Sequence, residues 1–256
     1  MSNIPVKDIL FIRKSPGFPD KTSHCKKQLL SMISSRGATI HYAGHDITFL
    51  FPGYGKRQRI PHPDIIEKLN SGMITDIVDI AGGGALDPEL KRGDLILSSE
   101  DIPLDTLQPL QVRRREEIKN IVQTLANEKK RHFFERKILT SDEIITSREK
   151  RIALYEQTQC SIVQMEHCWF LRALRNIMDP RSFRKLYVTH VEIVADVVQQ
   201  RDTFLNHFLE LFHGMKDCIF HNEHHIGKIK SDFLKLWLKR EEKPTIGTAD
   251  SFRPVM

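Results

Sequence analysis

Three consecutive glycines, Gly82, Gly83 and Gly84, follow the apolar run Thr75 to Ile80. A segment without Cβ atoms lets a ligand approach the backbone closely and allows its amides to turn inward. The Gly-x-Gly-x-x-Gly spacing of a dinucleotide loop is absent, and so is the Gly-Lys-Ser/Thr ending of a Walker loop. The same residues could equally make a tight structural turn or a β-bulge. Near the start of the chain, Arg13 and Lys14 close a second apolar run, where they form either a cationic loop suited to an anion such as phosphate or a solvated strand end. His221 and His225 are four apart and share a helix face, the spacing of a metal site, with His213, Glu223 and His224 nearby. The His-Glu-x-x-His order is missing, so a polar helix start is expected there and no metal. Cys25, Cys160, Cys168 and Cys218 form no Cys-x-x-Cys pair, which argues against a zinc knuckle or a disulfide frame and fits a reducing, cytoplasmic setting.

The elements that must position these residues alternate. Asp8 to Arg13, Thr39 to Tyr42, Ile47 to Phe51, Thr75 to Ile80, Asp94 to Leu97, Phe133 to Leu139, Ser161 to Met165 and Leu186 to Ala195 have the short apolar pattern of strands. Helices are expected at Ser23 to Ser35, Asp64 to Asn70, Val112 to Lys130, Ser147 to Gln157, Glu166 to Ile177, Asp202 to Met215 and Glu223 to Arg240. Ser147 is the expected cap of its helix. Strand and helix alternation of this kind predicts an α/β fold, a three-layer α/β/α sandwich with a central mixed β-sheet. One domain is expected over residues 1 to 240, followed by a flexible tail from 241 to 256.

Composition removes several classes. The 256 residues are 40% hydrophobic and 28% charged, and no stretch approaches the roughly 20 apolar residues of a spanning helix. The start, Met1 to Lys7, lacks the basic cap and apolar run of a secretory signal. A net charge of +6 could attract nucleic acid, but Arg113-Arg114-Arg115 and Lys129-Lys130-Arg131 are interrupted by Glu116, Glu117 and Glu128. On the expected helix they make a solvated face, so a nucleic-acid partner and a membrane are both argued against.

The stretch Ala81 to Asp94, AGGGALDPELKRGD, resembles the Gly-x-Ala-Gly-Gly-Leu-x-Pro-x-Leu-Lys-x-Gly-Asp segment of the purine nucleoside phosphorylase and nucleosidase superfamily. Gly84, Leu86, Pro88, Leu90, Lys91, Gly93 and Asp94 match. Pro52 to Lys56 is similar to that family's Gly-x-Gly-Lys turn. Ser161 to Glu166 resembles the approach to its Val-Glu/Asp-Met-Glu motif, and Leu186 to Asp196 falls where its Arg-x-Ile-Ser-Asp strand belongs.

The resemblance implies cleavage of an N-glycosidic bond in a nucleoside or nucleoside-like substrate, by a chain that self-associates and needs no cofactor. Gly82, Gly83 and Gly84 would line the pocket, Met165 would pack on the sugar, and Glu166 would accept both ribose hydroxyls. An ionised carboxylate is acceptor-only and suits a vicinal diol. The alternative for Glu166 is that it caps the helix that follows. Arg13 and Gly53 would hold phosphate, which makes phosphate the expected co-substrate. The sequence departs from the family in several places: Ala81 stands where a glycine and Gly83 where an alanine is usual, Gln164 replaces an acid, His167 and Trp169 are bulky where small residues are usual, and the Ser-Asp acid becomes Glu192-Ile193. Glu192 or Asp196 would substitute as proton donor, although strand alternation turns Glu192 away from the required place. These departures leave a second reading open, a family member that binds a nucleoside, a purine or a protein partner without turnover.

Overall fold

The computed structural model describes residues 8–12, 38–42, 45–50 and 61–198, together with 229, 232, 233 and 235–237 of a further helix. Arg13, Gly53, Cys25, Cys218, the histidines His213, His221, His224 and His225, Glu223, the expected helices at 23–35 and 202–215, and the tail 241–256 lie outside these residues.

Among the described residues eight strands form one mixed sheet: β1 (Asp8–Ile12), β2 (Ala38–Tyr42), β3 (His45–Leu50), β4 (Ile74–Ala85), β5 (Leu95–Pro103), β6 (Phe133–Thr140), β7 (Ile162–Gln164) and β8 (Tyr187–Asp196). The helices are α1 (Pro63–Asn70), α2 (Ile118–Glu128), α3 (Arg148–Thr158), α4 (His167–Ile177) and the single turn α5 (Pro180–Phe183). Pro63 opens α1, where its missing amide is harmless. Ser147 caps α3 as its type predicts, its hydroxyl accepting from the Lys150 amide at 3.2 Å.

The α/β class and the mixed sheet follow the sequence reading, but the three-layer sandwich is a finer description than the strand pairing supports. β4 pairs with β8 in parallel from Asp76 to Gly84 and with β7 in antiparallel fashion at Gly84 and Ala85. β8 pairs with β5, β5 with β6 and β6 with β7. These five strands therefore close into a ring. β1, β3 and β2 extend from the other half of β4 as an open wing.

Helices cover both faces of β4. Val78 and Ile80, with Leu95, Leu97, Val191 and Ile193, pack against Ile118, Val122 and Leu125 of α2 and against Phe233 and Trp237. Ile77 and Val188 pack on the opposite side against Ile65 and Leu69 of α1 and Phe170, Leu171 and Leu174 of α4. Alternation along each strand sends neighbouring side chains to opposite sides, which is why one strand can feed two cores. Among the described residues no helix is long and apolar enough to cross a membrane.

Two expectations change. The glycines are not a turn leaving the strand, because β4 continues through them to Ala85, held by β8 on one side and β7 on the other. The arginine run is not on a helix face either, since α2 begins only at Ile118. Arg115 is buried and donates Nε and a second guanidinium nitrogen to the two oxygens of Asp76 at 2.5 and 2.7 Å. Arg114 donates to Asp101 at 2.9 Å. The buried carboxylates claim these cations, so the run is not an open basic surface.

Candidate active site

At Gly83 a Cβ would stand 3.0 Å from the Val163 carbonyl oxygen and 3.1 Å from the Ile162 side chain. At Gly84 it would stand 2.8 Å from Asp196 Oδ1 and 3.3 Å from an Arg151 guanidinium nitrogen. The close approach that requires glycine is thus made by the protein's own atoms: β7 presses on Gly83, and an ion pair lies over Gly84. Gly82 precedes them in the same strand, with Ile193 of β8 beside it.

That ion pair joins the end of β8 to α3. The register between β4 and β8 slips between Gly83 and Gly84, so that Gly84 faces Asp196 and Ala195 is passed over. A bulge re-aims the side chains beyond it, and here it brings Asp196 to the glycine segment. Arg151, itself buried, donates to Asp196 Oδ2 at 2.6 Å and through Nε to the Ile145 carbonyl at 2.8 Å. Asp196 remains 39% exposed, while its Oδ1 is buried and accepts no hydrogen bond.

Glu192, the other candidate acid, is four residues earlier and fully buried. Its Oε1 lies 2.8 Å from His190 Nε2. It sits within the sheet instead of at the strand end, as the alternation of side chains requires. Asp196, by contrast, stands at the strand end with its side chain partly exposed.

On the opposite flank of β4, β7 exits into Met165 and Glu166. Glu166 is the residue before the first turn of α4, yet its side chain does not cap that helix. Gln164 does so instead: its Oε1 accepts from the backbone amides of Glu166 at 2.6 Å and His167 at 3.0 Å, while its amide nitrogen donates to Thr140 Oγ1. The residue that departs from the family motif has therefore taken over the capping of α4, and the alternative reading of Glu166 as a helix cap is excluded. The residue is 7% exposed, and its Oε2 accepts from the Met165 amide at 3.3 Å.

His167 and Trp169, bulky where the family prefers small residues, are both committed to the core. Trp169 Nε1 donates to the Ser141 carbonyl at 3.2 Å. His167 Nδ1 lies 2.8 Å from Asp79 Oδ2, and its ring stacks on His190 with centroids 3.8 Å apart and planes 11° from parallel. His190 Nδ1 lies 2.6 Å from Asp101 Oδ1, which also accepts from Ser98 Oγ at 2.7 Å. Asp79, Asp101, His167, His190 and Glu192 are all buried.

This network was not anticipated. Its signal was present in the sequence, since His190 and Glu192 are alternate residues in an otherwise apolar strand and Asp79 interrupts another. Burial opposes the His190 charge, but Asp101 and Glu192 overcome it and raise its pKa to about 9. Burial, and then the neighbouring His190 charge, push His167 below the ordinary imidazole range. Burial also opposes ionisation of Asp101, yet the two imidazoles and Arg114 hold it well below the usual carboxylate range.

Asp79, His167 and His190 each place one potential ligand atom within 4.8 Å of the others. Imidazole lone pairs lie in the ring plane, so two stacked rings cannot both aim at one ion. Both nitrogens of His190 and Nδ1 of His167 already face carboxylates. The cluster is built as a hydrogen-bonded ion-pair network, not as a converging ligand set.

No protein-family model and no curated protein matches the sequence. Solved structures do match. The 5′-methylthioadenosine/S-adenosyl homocysteine nucleosidase of Campylobacter jejuni superposes with a TM-score of 0.61 at 15% identity, covering 93% of this chain and 100% of that one. The S-adenosylhomocysteine nucleosidase of Streptococcus pyogenes, in complex with 5-methylthiotubericidin, gives 0.60 at 14% identity over 91% and 98%. The futalosine hydrolase of Helicobacter pylori gives 0.57 at 14% identity over 93% and 100%. At these identities the likeness is one of fold: the chain has the fold of these nucleosidase and hydrolase structures.

Proposed function

We propose that this protein cleaves the N-glycosidic bond of a purine nucleoside or nucleoside-like substrate bound beside Gly82 to Gly84. The observation that carries this reading is the placement of Glu166 at the exit of β7, the strand that pairs with Gly84 and Ala85. A carboxylate held at a strand exit and not used by its own helix is suited to accept the two hydroxyls of a ribose. Those hydrogen bonds strengthen as the sugar becomes oxocarbenium-like. Asp196, at the end of β8 on the other flank of the glycines, is the carboxyl group available to the departing base. The bond from sugar carbon to base nitrogen breaks, the oxygen of the nucleophile adds to that carbon, and the proton that the nucleophile gives up ends on the leaving base.

The solved relatives named above are nucleosidases and a hydrolase, which favours water over phosphate as the nucleophile. Phosphate remains the alternative suggested by Arg13 and Gly53. A role in binding without turnover is favoured by one observation, the Arg151 and Asp196 pair lying over Gly84. A dimer or larger assembly is the expected state in solution.

The test is release of free base from a panel containing methylthio-adenosine, adenosine and inosine, with and without phosphate. Release without phosphate supports hydrolysis, and release only with phosphate supports phosphorolysis. A thermal shift with no release supports binding alone. Glu166→Gln is expected to lower kcat/KM on the order of 100-fold or more, since a charged acceptor of two hydroxyls becomes a neutral one. Unchanged kcat/KM in that variant would remove Glu166 from the site.

A further inference from the structure

Building on the proposed reaction, we infer that Arg151 is a positioning residue for Asp196, fixing one carboxylate oxygen as a pivot so that the other can meet a donor on the ligand's base. Arg151 is held from two sides. Ser147 caps the helix that carries it, and its Nε is anchored on the Ile145 carbonyl. Its remaining reach is directed at Asp196 Oδ2, 2.6 Å away. The guanidinium is planar and rigid, so two fixed contacts determine where the third group lies.

The two oxygens of Asp196 are in different situations. Oδ2 has Arg151. Oδ1 is turned against Gly84, buried, with no group donating to it. A buried carboxylate oxygen with no donor is unfavourable and gains whenever a donor comes within reach. The rest of the side chain is open, being 39% exposed. A small rotation about the Arg151 contact therefore exchanges the Gly84 contact of Oδ1 for an N–H on a ligand lying along the glycines. The matching ligand is a nitrogen heterocycle that presents a ring or exocyclic N–H at this edge. Glycine at position 84 is what lets the carboxylate rest in its parked position, since a Cβ would stand 2.8 Å from Oδ1.

Base release from methylthio-adenosine and inosine should be measured for the full-length wild type, R151M, R151K, D196N and the R151M/D196N double variant, with thermal midpoints recorded for each. R151M is expected to lose on the order of 100-fold in kcat with KM changed by less than about threefold, because the group acts on the reacting carboxyl and not on sugar binding. R151K should restore about a tenth of the wild-type rate, a cation without the planar fork. The double variant should be no slower than D196N alone, the non-additivity expected when one residue acts through the other. If the losses multiply instead, or if R151M loses rate only in proportion to a fall in folded fraction, the inference is overturned. It is also overturned, with the proposed reaction intact, if D196N matches the wild type. Absence of base release from the wild type overturns the reaction and this inference together.

Discussion

His190 and Asp101 show what a single buried side chain does to the pH response of this protein. The His190 pKa of about 9 lies above the ordinary imidazole value of 6.5, so the folded state binds its proton more tightly than the unfolded state. Its stabilising contribution is complete below about pH 6.5 and is lost as pH rises through 9. His167 has the opposite sign. Its folded pKa is depressed, so below about pH 6.5 the unfolded chain takes up the proton first and stability falls. Asp101 is lowered, so its contribution is present above about pH 4 and is lost in stronger acid. Urea midpoints measured from pH 5 to 10 are therefore expected to peak near pH 6.5 and to decline as pH rises toward 9. The alkaline decline should flatten in His190→Gln, and an unaltered decline in that variant would assign it to another group. Asp101→Asn leaves His190 and Arg114 short of a buried counter-charge and should cost about 3–5 kcal/mol by chemical denaturation. Little of this was legible beforehand. A histidine inside an apolar strand is visible in the sequence, but its partners Asp101 and Asp79 lie 89 residues away from His190 and 88 from His167 respectively, and only the sheet brings them together.

At the scale of elements, the local rules worked where the signal was local. Ser147 before α3, the start of α1 near Asp64 and the apolar runs of β6 and β8 were placed from the sequence to within a few residues. The arginines at 113 to 115 were misplaced because a basic run interrupted by glutamates does not reveal that a buried carboxylate elsewhere will take the cation. The glycines were expected in a turn and lie in β4 instead, for a related reason. Glycine signals that something comes close, not what it is, and here Val163 and Asp196 approach Gly83 and Gly84. Gly84→Ala is accordingly expected to displace the Asp196 carboxylate, at about 1–3 kcal/mol of stability, and to lower any base-release rate. Gly83→Ala crowds a backbone carbonyl that cannot swing aside and should be the more destabilising of the two in thermal melts.

For the molecule as a whole, β4 belongs both to the closed ring and to the open wing. The amides of Ile77 to Gly83 and Val188 to Val194 should be the last to exchange with deuterium in the native state, and those of the edge strand β2 among the first. Early exchange along β4 would contradict the closure. The mixed α/β class was legible because strand and helix periods differ along the chain; the ring was not, because pairing β4 with both β7 and β8 is a long-range choice that no window of sequence encodes. The stack of His167 on His190 gives the molecule an internal beacon. Ring currents in rings 3.8 Å apart displace the carbon-bound proton resonances of both imidazoles from those of exposed histidines. Two shifted signals in a proton spectrum would thus report, with no substrate added, whether α4 is docked on β8.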